Sequence, residues 1–156
     1  VVVQAGIAGA LPEASLALAE TVLVGSDRQA DLGAWRSESG EFEPFDRWAE
    51  EAEAVVCPYV SEGMNGRWRV VAGRSVNSAC APIPVRESEA VESMEGAAFF
   101  GVCRDEGVPF FQLRAVSNRV GDPRDAWRIP EALDVLADAL GRLLDDPDFT
   151  KLQSMR

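Results

Sequence analysis

Short apolar runs separated by turn-forming residues dominate the first half of the chain, and such runs are typical of buried strands. Bounded by Gly, Pro or polar residues, they predict strands at 1–4 (VVVQ), 21–25 (TVLVG), 54–60 (AVVCPYV) and 67–73 (RWRVVAG). The remaining segments predict a Gly-rich loop at 5–9 (AGIAG), a short helical turn within 12–20 and a proline-containing loop at 75–84. Residues 26–53 are polar and rich in turn formers, and no regular element is predicted there.

The second half of the chain has the clearer periodicity. Apolar residues at roughly helical spacing predict a helix over 89–107 that ends at Gly107, with Val91, Met94, Ala98 and Val102 on one face. An apolar run predicts a buried strand at 109–118 (PFFQLRAVSN). A second helix begins at Pro130 and continues through 144, with an apolar face made by Leu133, Leu136, Ala137, Leu140 and Leu144. Strands alternating with helices predict one α/β domain over 1–156 with a largely parallel or mixed sheet.

Composition narrows the classes of function. A net charge of −11 disfavours nucleic acid and anionic membranes as partners, and no apolar run reaches the length of a membrane span. Histidine is absent, which excludes Ser-His-Asp and Cys-His nucleophiles and H-E-x-x-H zinc sites. The three cysteines are far apart, without a C-x-x-C pair, and predict reduced thiols in a cytosolic protein rather than a metal site. Any catalysis would use carboxylates, amides, Arg and backbone dipoles.

The beginning of the chain reads as the middle of a strand. VVVQAG has no initiating Met, no polar lead and no signal-peptide layout. We therefore expect further N-terminal sequence before Val1.

Two predicted strand ends are candidate ligand sites, because ligands of open α/β sheets bind outside the carboxyl ends of the strands. At Gly6-Ile7-Ala8-Gly9, glycine would allow positive φ and expose backbone N–H groups, with Ala8 and Gly9 as the ligand-binding positions; an ordinary turn explains the glycines equally well. Neither a dinucleotide motif nor a phosphate loop is present. At the second strand end, the amide of Asn118 could donate and accept, or merely form a turn.

Two charged residues near these ends allow more than one interpretation. Glu95, in VESMEGAAFF, is either a solvated charge at a helix start or a carboxylate aimed at a ligand. Arg114 falls within a predicted buried strand and needs a partner, for which Glu92 and Glu95 are the candidates.

Taken together, three motifs resemble the purine nucleoside phosphorylase and nucleosidase superfamily: QAGIAG, VESMEGAAF and RAVSN. Within the superfamily, DLGA (31–34) and SNRVGDPRDAWRIP (117–130) resemble the futalosine hydrolase family. The resemblance spans roughly 1–145 and implies a three-layer α/β fold, a central mixed sheet flanked by helices, with its N-terminal strands lying upstream of Val1. It also implies a cytoplasmic homo-oligomer that acts on a purine nucleoside without a metal or organic cofactor.

The resemblance also implies roles for individual residues. Met94 would pack on the ribose, Glu95 would hold the sugar hydroxyls, and Asn118 would handle the base. Relatives that cleave 6-aminopurines usually carry Asp where this chain has Asn118. An amide can accept from N7–H and donate to a 6-oxo group, so Asn118 indicates hypoxanthine as the leaving base. Ile7 stands where phosphorylases tend to carry a phosphate-binding hydroxyl, which favours water as the acceptor.

The chain also departs from the family pattern. The carboxylate that activates water in relatives lies near their N-terminus, upstream of Val1. No purine-stacking aromatic occurs between Trp68 and Phe99, which leaves Phe42, Phe45 or a partner subunit. The aromatic-rich stretch 35–48, with Trp35 and Trp48, suits either a subunit interface or core packing. The expected function is hydrolysis of futalosine to hypoxanthine and dehypoxanthinyl futalosine in menaquinone synthesis. The alternatives are a phosphorylase acting on inosine or guanosine, and a non-catalytic purine-binding or structural domain.

Overall fold

The computed structural model describes residues 1–45, 53–79, 83, 85–86 and 88–154, apart from the side chains of Trp35 and Pro44. The strands are β1 (Val2–Ala10), β2 (Thr21–Gln29), β3 (Gly33–Trp35), β4 (Phe42–Pro44), β5 (Val55–Val56), β6 (Val70–Ser75), β7 (Glu89–Ser93) and β8 (Phe110–Arg119). The helices are α1 (Glu62–Arg67), α2 (Gly96–Asp105), α3 (Ile129–Leu144) and α4 (Pro147–Ser154), with a 3₁₀ turn at Arg124–Ala126.

Six of the strands form one mixed sheet in the order β5-β2-β6-β7-β1-β8. β1 is parallel to β8, β2 to β6 and β6 to β7, whereas β1 and β7 are antiparallel. The first half of β2 also pairs with β8, so the sheet curls until these two strands meet. β3 and β4 form a separate hairpin. The predicted mixed sheet is therefore confirmed.

Two apolar cores lie against the sheet. One contains Phe100 and Cys103 of α2 with Phe110, and the other contains Leu136 and Leu143 of α3. The Phe100 and Phe110 rings meet edge to face with centroids 4.8 Å apart, a geometry that aromatic pairs prefer. The sheet is flanked by helices as the α/β prediction required.

The elements with the clearest periodicity are confirmed. β8 covers all but the first residue of the predicted strand at 109–118, and α3 begins one residue before the predicted Pro130 and ends at Leu144. The predicted apolar face of α3 is wrong in part, because its buried residues are Ala132, Leu136, Ala139 and Leu143, whereas Leu133 and Leu144 are 50% and 45% exposed. Gly107 has φ 63, in the left-handed region that favours glycine after a helix.

The prediction of one helix over 89–107 is wrong in its first part. Residues Glu89–Ser93 form β7, where alternate side chains are buried, and the helix begins only at Gly96. Val91 fits both patterns, because a short strand followed closely by a helix places apolar residues at spacings that resemble one helical face. Met94 and Glu95 therefore lie in the connection between β7 and α2.

The predicted loop at 5–9 is also wrong, since β1 continues to Ala10 with a register shift between Ala8 and Gly9. Residues 12–20 form turns rather than a helix, and 62–67, partly assigned to a strand, form α1. β5 is limited to Val55–Val56, and β2 extends four residues beyond the predicted end at Gly25, to Gln29.

Candidate functional site

A cavity of about 860 Å³ opens where β1 and β8 end and where β7 leads into α2. All five predicted site residues line it: Ala8, Gly9, Met94, Glu95 and Asn118. Parallel strands bring their carboxyl ends to the same edge of a sheet, which is why Gly9 and Asn118 are paired in register. The volume is in the range of pockets that hold small molecules.

Glycine in β1 makes room for side chains of β8. A Cβ on Gly6 would lie 2.5 Å from Nη1 of Arg114, and one on Gly9 would lie 3.1 Å from Nδ2 of Asn118. Neither glycine has a positive φ. The expectation that these residues form a loop with exposed N–H groups is therefore replaced by a different requirement, which is space beside the strand for two polar side chains.

The Asn118 side chain is 4% exposed and is oriented by its neighbours. Its Oδ1 accepts a hydrogen bond of 2.8 Å from the Ser117 hydroxyl, and its Nδ2 donates at 2.9 Å to the backbone carbonyl of Arg119. An amide oxygen has a second lone pair and an amide NH₂ has a second hydrogen. Asn118 therefore keeps one acceptor and one donor position for a ligand.

Met94 and Glu95 present their side chains to the cavity. Met94 is 55% exposed, and Glu95 occupies the N-cap position of α2 without a side-chain capping bond. The Glu95 carboxylate instead accepts from Nη2 of Arg114 at 3.3 Å. Glu95 thus stands at the start of α2 without a capping bond, and its carboxylate lies at the cavity wall.

Arg114 and Glu92 each have a defined partner. Arg114 pairs with Glu95 and also donates to the Ile7 carbonyl at 3.2 Å. Glu92 pairs with Arg74 at 2.8 Å, and burial raises its pKa. Burial lowers the pKa of Arg114, an effect that Glu95 opposes. Between the two predicted partners of Arg114, the structure selects Glu95.

A buried polar cluster lies behind this wall. Asp27 is 1% exposed and accepts from the Ser75 hydroxyl at 2.9 Å, and burial raises its pKa to about 6. Gln112, also buried, donates to Oε1 of Gln4 at 2.7 Å, and Gln4 lines the cavity. Oδ2 of Asp27, Oε1 of Gln112 and Nε of Arg114 have no hydrogen-bond partner among the described residues.

The cavity also has a wall that the sequence reasoning did not identify. Arg124 and Trp127 line it, with the guanidinium 4.2 Å from the indole ring centroid, and the Trp127 Nε1 donates to the Asp122 carbonyl at 3.2 Å. Both residues belong to the segment GDPRDAW (121–127), which follows β8. The sequence feature that could have indicated this wall is the presence of Arg124 and Trp127 shortly after the predicted strand end at Asn118.

The predicted stacking residues lie elsewhere. Neither Phe42 nor Phe45 lines the cavity, and Phe45 is 58% exposed. Cys57 and Cys103 are buried free thiols, whereas Cys80 and Trp48 fall outside the described residues. Within the described part of the chain, no three acidic or thiol side chains cluster as metal ligands, and no helix is long and apolar enough to cross a membrane.

The fold is found in a solved futalosine hydrolase. The native structure of that enzyme from Helicobacter pylori superposes with a TM-score of 0.62 at 19% identity, covering 92% of this chain and 66% of the other. A likeness at that identity concerns the fold.

No protein-family model matches the chain, but its sequence relatives identify the family to which it belongs. Futalosine hydrolase of Thermus thermophilus is 34% identical over 154 residues, which covers 89% of this chain and 67% of the relative. Futalosine hydrolase of Streptomyces coelicolor is 56% identical over 54 residues, covering 33% of this chain and 23% of the relative. The chain belongs to the futalosine hydrolase family.

Proposed function

We propose that the protein hydrolyses the N-glycosidic bond of futalosine, releasing hypoxanthine and dehypoxanthinyl futalosine in menaquinone biosynthesis. The observation that carries this proposal is the meeting of Met94, Glu95 and Asn118 at one cavity in a chain of the futalosine hydrolase family. Met94 and Glu95 lie in the connection between β7 and α2, and Asn118 lies in β8, so only the folded chain brings the pair and the amide together.

In the proposed complex, Glu95 binds the ribose hydroxyls. One carboxylate oxygen, Oε2, faces Arg114, so Oε1 is available to accept from the sugar. Met94 supplies an exposed apolar side chain against which the sugar ring packs. Hydrogen bonds to sugar hydroxyls can strengthen as the ring gains oxocarbenium character, which favours cleavage over simple binding.

Asn118 serves the departing base. The C1′–N9 bond breaks with its electron pair moving into the purine, a water oxygen bonds to C1′ and loses a proton, and N7 of the purine gains one, so that neutral hypoxanthine leaves. Oδ1 of Asn118 accepts from N7–H through its remaining lone pair, and Nδ2 donates its remaining hydrogen to the 6-oxo group. The surrounding wall, with the Ala8 and Gly9 backbone, holds the base in this position.

Water is the proposed acceptor because β1 offers no hydroxyl at the position where phosphorylases tend to carry one. That position is Ile7, whose side chain packs against the apolar core that includes α3. Arg114 donates to the Ile7 carbonyl and is already paired with Glu95.

Hypoxanthine release from futalosine in phosphate-free buffer, with the full-length protein, tests the proposal. Release without phosphate would support a hydrolase. Activity on inosine that appears only after phosphate is added would establish the phosphorylase alternative. Absence of turnover under both conditions would leave a purine-binding or structural domain.

We further propose one domain over 1–156 that acts in the cytoplasm as part of a homo-oligomer and needs no metal or organic cofactor. Exposed apolar side chains beside the β3–β4 hairpin, Leu32 and Phe45, support a subunit contact there. Light scattering of the purified protein tests it, and a monomeric mass would contradict it.

A further inference from the structure

We propose that Asp31 is a positioning residue that fixes the loop 76–79 at the edge of the cavity and thereby sets the affinity for the ligand. This inference concerns the same cavity and rests on the proposed function. Asp31 does not itself line the cavity and is only 6% exposed.

The Asp31 carboxylate is saturated with hydrogen bonds from the loop and from β2. Oδ2 accepts from the backbone N–H groups of Asn77 and Ser78, the latter at 2.9 Å. Oδ1 accepts from Nδ2 of Asn77 at 3.1 Å and from Nε2 of Gln29 at 2.6 Å. Hydrogen bonds to an ionised acceptor are stronger than neutral ones, so a single side chain holds two consecutive peptide units.

The loop so fixed lies between two parts of the cavity wall. Its first residue, Val76, is buried and donates to the Ser93 carbonyl at 2.9 Å, and Ser93 lines the cavity. Its last residue, Ala79, lines the cavity as well. Asn77 and Ala79 are exposed, so side-chain packing restrains the loop little between its ends. The position of this wall therefore depends on the bonds to Asp31.

This role also accounts for the DLGA segment, in which Asp31 is the first residue. The acid follows two residues after the end of β2 and reaches across to the segment after β6, the neighbouring parallel strand. Gln29, the last residue of β2, completes the set of donors.

The experiment compares Asp31→Ala and Asp31→Asn with wild type in the full-length protein. Alanine removes every acceptor, and we expect KM for futalosine to rise about tenfold or more with kcat changed by less than about threefold, since the bonds lost restrain the binding wall. Asparagine keeps one oxygen for the two backbone N–H groups, and its NH₂ can donate to the rotated amides of Gln29 and Asn77. We expect its KM to stay within about twofold of wild type.

Asp146→Ala is the matched control. Asp146 is 5% exposed and also accepts four hydrogen bonds, from Arg67 at 2.7 and 3.0 Å, from the Trp68 indole at 3.0 Å and from the Asp148 backbone at 3.0 Å, but it does not line the cavity. The Asp146→Ala variant should lose stability as Asp31→Ala does, while its KM for futalosine stays unchanged. If Asp31→Ala does not fold, Asp31→Ser, which retains one acceptor, takes its place.

Amide hydrogen exchange provides a readout that does not depend on activity. Residues 77 and 78 should exchange faster in Asp31→Ala than in wild type and Asp31→Asn. Unchanged exchange, an unchanged KM, or an equal rise of KM in Asp146→Ala would each overturn the inference. If the wild-type protein leaves futalosine intact, the proposed function is overturned but the inference about Asp31 is not. Amide exchange and the Kd for hypoxanthine, measured by calorimetry, still test the role of Asp31.

Discussion

The buried guanidinium of Arg114 holds the exposed carboxylate of Glu95, with Nη2 and Oε2 3.3 Å apart. The Arg114 side chain is 4% exposed, and that of Glu95 is 62% exposed. The cation is fixed by β8 and by its bond to the Ile7 carbonyl, so it is the less mobile partner. It donates to one oxygen of Glu95, a residue of the cavity wall, and leaves the other oxygen without that bond. The pair thus turns a flexible acidic side chain into an oriented acceptor.

Glu95→Ala is expected to abolish turnover. Two hydrogen bonds to a charged acceptor contribute about 3 kcal/mol or more, which corresponds to a loss in kcat/KM of at least about a hundredfold. The free energy of unfolding should fall by about 1–3 kcal/mol, because the change also removes the carboxylate partner of the buried Arg114.

Glu62→Ala is the control for that variant, because Glu62, like Glu95, is an acid at the start of a helix but does not line the cavity. Steady-state kinetics and urea unfolding of both variants decide the matter. A normal kcat/KM in Glu95→Ala would mean that Glu95 is only a charge at the start of α2.

Asn118→Asp is expected to lower activity on 6-oxopurine nucleosides more than it lowers stability. An ionised carboxylate cannot donate to the 6-oxo group, and one of its oxygens would face the Arg119 carbonyl where Nδ2 now donates at 2.9 Å. The loss of that bond should reduce the free energy of unfolding by about 1–2 kcal/mol.

The ratio of hydrolysis rates for inosine and adenosine distinguishes base recognition from a general defect. Selective loss on inosine indicates that Asn118 reads the base, whereas an equal loss on both nucleosides indicates a structural effect. Unchanged activity on inosine would refute the proposed role.

The sequence predicted best where periodicity is long or the apolar run is continuous. α3 repeats its apolar face over 16 residues, and β8 is buried along nearly its whole length. β7 is five residues long and is followed by a helix after two residues, too short a pattern to separate strand from helix. α1 was missed because it has six residues and depends on distant partners, such as the pairing of Arg67 with Asp146.

Candidate site residues could be proposed from motifs, but their geometry could not be predicted. The residue motifs identified Met94, Glu95 and Asn118, and the fold brings them to one cavity. Trp127 could not be placed there from sequence, since it lies in a loop whose path is fixed by its bond to the Asp122 carbonyl. Asp27 was not predicted either, because nothing local shows that an acid in an unassigned polar segment will be buried.

Gly96→Ala is expected to destabilise the protein, although alanine is the better helix former. A Cβ at this position would lie 2.0 Å from Oδ2 of Asp27 and 2.5 Å from Nε2 of Gln112, so both buried polar groups would have to move. We expect a loss of about 2 kcal/mol or more in the free energy of unfolding, as for other overpacked interiors.

Gly101→Ala in the same helix is the matched control. No atom lies within 4 Å of the Cβ that it would add, so the variant should gain about 0.5–1 kcal/mol through helix propensity. Urea unfolding of both variants measures the difference. A Gly96→Ala protein as stable as Gly101→Ala would show that the start of α2 is not packed against Asp27.

Asp27 is expected to make the protein less stable as pH rises from about 4 to 7. Burial raises the pKa of its carboxyl from 3.8 to about 6 in the folded state, so the folded protein keeps a proton that the unfolded chain releases. The resulting stabilisation is fully present below pH 3.8 and is lost as pH rises through about 6, a change of roughly 3 kcal/mol.

Asp27→Asn retains an acceptor for Ser75 but cannot titrate, so its advantage in stability over wild type should grow across this range. Urea unfolding at pH 4, 5, 6 and 7 measures both proteins. Asp146 does not interfere, because its pKa is lowered to about 2, chiefly by its bond from Arg67, and its contribution is lost only as pH falls below 3.8. Parallel stability curves for wild type and Asp27→Asn would show that Asp27 is not held protonated by the fold.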